Sequence, residues 1–163
     1  LMNRVTAHTG SKYPIIQAPM GWIARSQLAS AVCEAGGMGI IETSSGEIDN
    51  CKKEIQMMSE LTDKPFGVNL PLLFLKDDSM VNFCVDAGVK FVTTSAGDPT
   101  KYIGVLKEAK SVLDLGCYRG DLLSNFPEKI EKDGIDIDAP SIEVAKQRLP
   151  DASFFCQDLE KFN

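Results

Sequence analysis

Lys110-Ser111-Val112-Leu113-Asp114-Leu115-Gly116-Cys117-Tyr118-Arg119-Gly120 is the stretch on which the reading of this chain turns. Residues 111–115 are a short apolar run with the length of a strand. Two glycines bracket the loop that follows, and a helix is expected from about Gly120, disturbed at Pro127. Such a strand, tight glycine turn and helix lets backbone approach a ligand at a helix N-terminus. Tyr118 stands in the middle of that loop, where a left-handed backbone would strain a tyrosine.

The same rhythm runs outward in both directions. Toward the N-terminus, strands are expected at residues 14–20, 39–43, 66–70 and 90–95. The helices between them carry apolar stripes: Leu28, Ala29, Val32 and Cys33 within 25–35, then Ile48, Cys51, Ile55 and Met58 within 45–61. Gly36 stops the first helix, Ser45 is expected to cap the second, and a third spans 78–87 before Gly88. Asp98 and Pro99 open a helix expected through Ala109. Toward the C-terminus, strands are expected at 134–137 and 152–156, separated by a helix that Asp138 caps, with Pro140 in its first turn and Ile142, Ala145 and Leu149 inward. Residues 158–163 read as the first turn of one more helix.

Mostly apolar strands of four to six residues alternating with helices specify an α/β protein with a parallel sheet covered by helices. Residues 106–110 run from helix into strand with no Gly/Ser/Pro linker, so residues 1–163 are expected to form a single domain of about seven strands in sequential order. It comprises a segment 1–109 and a segment 110–163. An incomplete barrel-like sheet is the first expectation and an open doubly wound sheet the second. Seven strands leave two edges, so residues 3–13 or a second copy of the chain are expected as cover, the latter as a homodimer.

Composition excludes several function classes. The net charge of −6 divides into 10 Lys/Arg against 12 Asp/Glu over residues 1–109 and 7 against 11 over 110–163, so no basic face is offered to nucleic acid. No apolar run approaches the roughly 20 residues that cross a bilayer, so no membrane partner is expected. The opening LMNRVTAHTG lacks a signal peptide's apolar core, which implies a cytoplasmic product, and Leu1 ahead of Met2 reads as a scar of recombinant expression. Five cysteines without CxxC spacing and the single His8 give no metal constellation, and the thiols read as small buried groups. The acids Asp77, Asp78, Asp133, Asp136 and Asp138 read first as helix caps and solvated loop residues.

Within residues 3–109, YPIIQAPMGW, LASAVCEAGGMGII, KPFGVNL and VTTSAGDPTKYI resemble, in this order, the nitronate monooxygenases (2-nitropropane dioxygenases) and the related flavin-dependent enoyl reductases. The resemblance implies half of a TIM barrel and flavin mononucleotide (FMN) as cofactor. It implies that backbone at Ala18, Pro19 and Met20 lies against the flavin ring and that the Asn69 amide reaches it. Strand C-terminal ends and their loops form the site face of such barrels. The family's catalytic histidine and glycine-rich phosphate grip lie on later strands; His8 corresponds to neither and reads as a solvated surface residue.

Residues 111–163 resemble class I S-adenosylmethionine-dependent methyltransferases, through VLDLGCYRG, GIDIDAPSIEVAKQRLP and FFCQDLEKF. The resemblance implies a Rossmann-like βαβαβ fragment. Asp114, Gly116 and Gly120 would lie near the ligand, Asp136 would take the ribose hydroxyls and Asp158 the adenine amino group. Tyr118 departs from the family's glycine.

Two resemblances joined near Ala109/Lys110 lead to one functional expectation: a recombined chain with no complete active site, no catalytic residue, no metal and no required cofactor. The alternatives are a module with residual S-adenosylmethionine affinity, or an FMN-binding oxidoreductase of the nitronate monooxygenase kind.

Overall fold

The structure, a computed structural model, describes residues 4–97, 99–102, 104–105, 111–115, 118–121, 123–125, 128 and 131–156. At residues 4, 100, 111–115, 125 and 131 it describes backbone only. The chain divides into two compact units, residues 1–99 and 100–163. Each is α/β and holds a three-stranded parallel sheet in sequential order.

The first unit runs α1 (Arg4–Thr9), α2 (Ser26–Glu34), β1 (Ile40–Ile41), α3 (Ile48–Leu61), β2 (Gly67–Pro71), α4 (Ser79–Asp86) and β3 (Phe91–Ser95), with a 3-10 turn at Leu72–Phe74. β2 lies between the other two strands, and all five of its residues are buried. Ile40, Ile41, Val68 and Leu70 supply the sheet's share of the core. The helices contribute Ala29, Cys33, Cys51, Ile55, Met58, Met80, Val81 and Cys84; of the stripes expected on α2 and α3, Ala29, Cys33, Cys51, Ile55 and Met58 are buried and Leu28, Val32 and Ile48 are partly so. Gly39 is dictated by packing: a Cβ there would stand 2.1 Å from the Ala29 carbonyl oxygen of α2.

The strand expected at 14–20 is reduced to one parallel bridge, Ile16 to Met38. Met38 N–H donates to Ile15 O at 2.8 Å and Gln17 N–H to Met38 O at 2.9 Å. Pro14 and Pro19 have no N–H to offer, so the ladder stops there. The Gln17 side chain takes over: its Oε1 accepts from Ile40 N–H at 3.1 Å and its Nε2 donates to Ile40 O at 3.2 Å. A carboxamide thus does for β1 what two more strand residues would have done.

α3 begins at Ile48, not Ser45, with Glu47 at its N-cap position. Ser45 Oγ instead accepts from Arg25 Nη2 at 3.2 Å. α2 is capped from outside, by Glu54 Oε2 accepting from Ser26 N–H at 2.8 Å. His8 is half-buried, not solvated, and meets the Phe91 ring edge-on at 6.2 Å. Phe91 opens β3, and Gly10 lies against Pro65 just ahead of β2. α1 therefore covers the N-terminal ends of the strands, and the opposite ends carry the loops.

In the second unit the order is β4 (Ser111–Leu115), β5 (Glu131–Asp136), α5 (Ala139–Arg148) and β6 (Ser153–Cys156), with 3-10 turns at Thr100–Tyr102 and Leu123–Asn125. Its core is Leu123, Ile142, Ala145 and Phe154, packed against Leu149 and Ala152. Asp138 caps α5 as expected, accepting from Ser141 N–H at 3.1 Å. β5 starts three residues earlier than expected, which buries Lys132 and Asp133 in a strand where Asp133 was read as a solvated acid. Of the helices expected at 99–109 and after Gly120, the described residues contain the two 3-10 turns alone. Asp98, the junction at Ala109/Lys110 and the turn expected at 158–163 lie outside the described residues. Cys33, Cys51 and Cys84 are buried free thiols, whereas Cys156 is exposed against the expectation. No helix among the described residues is long and apolar enough to cross a membrane.

Candidate functional site

The C-terminal ends of the strands in the first unit are tied together by side chains. Glu42, the residue after β1, is 1% exposed and accepts four contacts from two loops. Its Oε1 takes Trp22 N–H at 3.2 Å and lies 3.3 Å from Arg25 Nη2. Its Oε2 takes Ser44 N–H at 2.7 Å and Ser44 Oγ–H at 2.8 Å. Arg25 also pairs with Glu47 at 3.6 Å and lies over the Trp22 ring at 5.8 Å. This cluster holds Trp22 at a left-handed φ of +66°, uncommon for a bulky residue and costing on the order of 1–3 kcal/mol. The turn is over-determined: its N–H, its ring and the arginine beside it all have partners.

Ala18, Pro19 and Met20 sit on the loop after the Ile16 bridge and are exposed, with Trp22 and Ile23 following. Asn69, in β2, is buried. Its Oδ1 accepts from Thr93 Oγ–H at 2.9 Å, its Nδ2 donates to Ser95 Oγ at 3.1 Å, and its backbone oxygen accepts from Thr43 Oγ–H at 2.7 Å. The four residues expected to face a flavin thus belong to one unit, three on the exposed loop after the Ile16 bridge and Asn69 within the central strand β2. Leu73 and Phe74, exposed in the turn after β2, add apolar surface, and Leu73 N–H donates to Ala96 O at 2.8 Å.

The second unit brings together part of its expected set. Asp136, at the end of β5, accepts from Tyr118 N–H and from Asp138 N–H, both at 2.8 Å. The Asp138 and then the Tyr118 N–H hold its carboxyl below the usual carboxylate range, because both bonds favour the ionised form. Tyr118 has φ +47°, a left-handed backbone that strains a tyrosine, and is 51% exposed. Gly120, φ +73°, packs beside Phe154 and Leu149. Arg148 of α5 donates to Arg119 O at 3.1 Å and so tethers the same loop. Asp114 lies in β4 opposite Gly134; Gly116 and Asp158 lie outside the described residues. No group of three His, Cys, Asp or Glu side chains among the described residues could hold a metal.

Residues 3–83 match the family model of nitronate monooxygenase. The chain is 32% identical over 113 residues to a Mycobacterium tuberculosis protein, (3aS,4S,5R,7aS)-5-hydroxy-7a-methyl-1-oxo-octahydro-1H-indene-4-carboxyl-CoA dehydrogenase; that covers 69% of this chain and 32% of the relative. Over 61 residues it is 44% identical to the nitronate monooxygenase of Paraburkholderia phytofirmans, covering 37% of this chain and 17% of the relative. The chain therefore spans about a third or less of the curated relatives' length. Among solved structures, FabK from Thermotoga maritima aligns with a TM-score of 0.65 at 26% identity, covering 94% of this chain and 61% of that one. These similarities bear out the nitronate monooxygenase resemblance of the first segment. Parallel α/β sheets of this kind are consistent with a fragment of a (β/α)8 barrel.

The sequence reading passed over Arg25, Glu42, Thr43, Thr93 and Ser95. One signal was available for Glu42: a carboxylate directly after the apolar run Gly39-Ile40-Ile41, where burial demands a partner.

Proposed function

We propose that the strand ends of the first unit form the ring-facing part of an FMN site in an oxidoreductase of the nitronate monooxygenase type, with nitronates as the substrate class. The observation that carries this reading is the family match over residues 3–83, which takes in Ala18, Pro19, Met20 and Asn69 together. The residues fit a flavin ring. Exposed backbone at 18–20 offers a flat approach, Met20, Trp22 and Leu73 offer apolar surface, and Asn69 offers an amide. The flavin, when bound, supplies the oxidation and reduction chemistry. The chain's part is to orient: Glu42 and Arg25 fix the loop that carries Met20 and Trp22, and Gln17 fixes the segment before it. The comparisons favour this reading over a recombined chain without a native activity. Visible absorption of the purified protein, with mass spectrometry of the small molecules it releases, tests it. A yellow protein that releases FMN is expected; one that stays colourless after incubation with FMN would sink the reading.

A second reading, S-adenosylmethionine binding by the second unit, has one observation in its favour. Asp136 joins the end of β5 to the loop after β4, where a ribose acid of the dinucleotide kind belongs. Titration calorimetry with S-adenosylmethionine on the chain, on Tyr118→Gly and on Asp136→Ala tests it. Heat that Asp136→Ala removes supports the reading, and no heat from either of the other two proteins rejects it.

A further inference from the structure

Asn69 has 5% exposure, yet its carboxamide is only partly used. A carboxamide offers two N–H donors and an oxygen with two lone pairs. Thr93 takes one lone pair and Ser95 one N–H. The other N–H has no partner among the described residues. Such a donor, left open in a nearly buried group, costs free energy unless something else accepts from it.

The register explains how β3 comes to hold the group. Asn69 pairs with Thr93 and Pro71 with Ser95, so the two hydroxyls stand two residues apart on one face of the neighbouring strand. Thr43, after β1, fixes the backbone of the same residue from the other side. The side chain is gripped from β3 and its backbone from the β1 side.

We infer that Thr93 and Ser95 are positioning residues for the Asn69 carboxamide, holding it so that its remaining N–H meets an acceptor atom on a bound ligand. The inference rests on the flavin reading for the identity of that ligand: a flat ring edge carrying carbonyl oxygen or unprotonated nitrogen. Holding the amide in place before binding spares the ligand the cost of immobilising it, which is where affinity is gained.

The test has two independent readouts. In ¹⁵N–¹H spectra of the intact chain, the Asn69 side-chain N–H resonances should be sharp and dispersed. In the Thr93→Val/Ser95→Ala double variant they should move toward the positions of free amides, while the backbone spectrum stays dispersed. Thr93→Ser, which keeps the hydroxyl, should leave them in place. Riboflavin affinity should fall about five- to tenfold in the double variant, the size of one lost hydrogen bond. Asn69→Asp keeps acceptors for both hydroxyls and removes the donor, so it should weaken riboflavin at least as much. Unmoved resonances in the double variant would overturn the inference, as would unchanged riboflavin affinity. Should the unaltered chain bind no flavin while the double variant still loses the amide signature, the flavin reading fails and the positioning by Thr93 and Ser95 stands.

Discussion

The loops of the two units are held in different ways. In the first, a nearly inaccessible carboxylate and a nearly inaccessible carboxamide each gather partners from neighbouring segments: Glu42 from Trp22, Arg25 and Ser44, and Asn69 from Thr93 and Ser95, with Thr43 donating to its backbone oxygen. In the second, Asp136 accepts from two backbone N–H groups at a more accessible position, and an exposed arginine donates to the Arg119 carbonyl and to the Asp121 carboxylate. Burial makes the first arrangement costly to break, because Glu42 or Asn69, once stripped of its partners, has almost no water to turn to. Near the surface, water replaces a lost partner at small cost. The first unit is therefore built to keep a loop face rigid, while the second keeps one turn closed.

That contrast can be broken or sharpened by substitution, the largest effect first. Glu42→Ala strands the Arg25 guanidinium, with Glu47 and Ser45 in part compensating, and should cost about 3 kcal/mol by urea unfolding. Arg25→Met/Glu42→Leu, which removes both charges, should lie closer to the unaltered protein than Glu42→Ala does. If the double change is the worse of the two, burial is not what sets the cost. Gly39→Ala drives a methyl group into the Ala29 carbonyl and should cost about 2–3 kcal/mol. Unchanged stability there would mean that α2 does not rest on β1.

Effects in the second unit should be smaller and should depend on pH. Asp136→Asn is expected to cost on the order of 1 kcal/mol at neutral pH. Because the folded carboxyl titrates below its unfolded value of about 3.9, its contribution is present above about pH 4 and is lost as pH falls through the folded value. Acid titration of stability should therefore be shallower in Asp136→Asn than in the unaltered chain, and identical slopes would remove the carboxylate from the account. The smallest effect is one of rate alone. Burial pushes the Cys84 thiol up to about 12, whereas Cys156 is exposed, so iodoacetamide should label Cys156 first. Equal rates would place Cys84 in a looser core than its packing indicates.

Much of the fold was legible in the sequence because periodicity reports burial. The stripes on α2 and α3, the apolar run at β2 and the Asp138 cap all follow from local pattern. The strand expected at 14–20 failed for an equally local reason, its two prolines, and the Gln17 side chain that replaces the ladder has no periodic signature. Ser45 looked like a cap because capping is a local rule, but a half-buried arginine 20 residues away claimed its hydroxyl. Of the candidate site, Asn69 and the 18–20 loop were readable by resemblance. The network around them was not, since Thr43, Thr93 and Ser95 become partners only once strands pair.

The most direct test of the flavin half-site is titration of riboflavin and of FMN into the intact chain and into Asn69→Ala, followed by quenching of flavin fluorescence. If the strand ends of the first unit hold the ring, both ligands bind the unaltered chain with similar affinity, and Asn69→Ala weakens both about tenfold. Absence of binding by either ligand would contradict the account, and so would an Asn69→Ala variant that binds both as well as the unaltered chain.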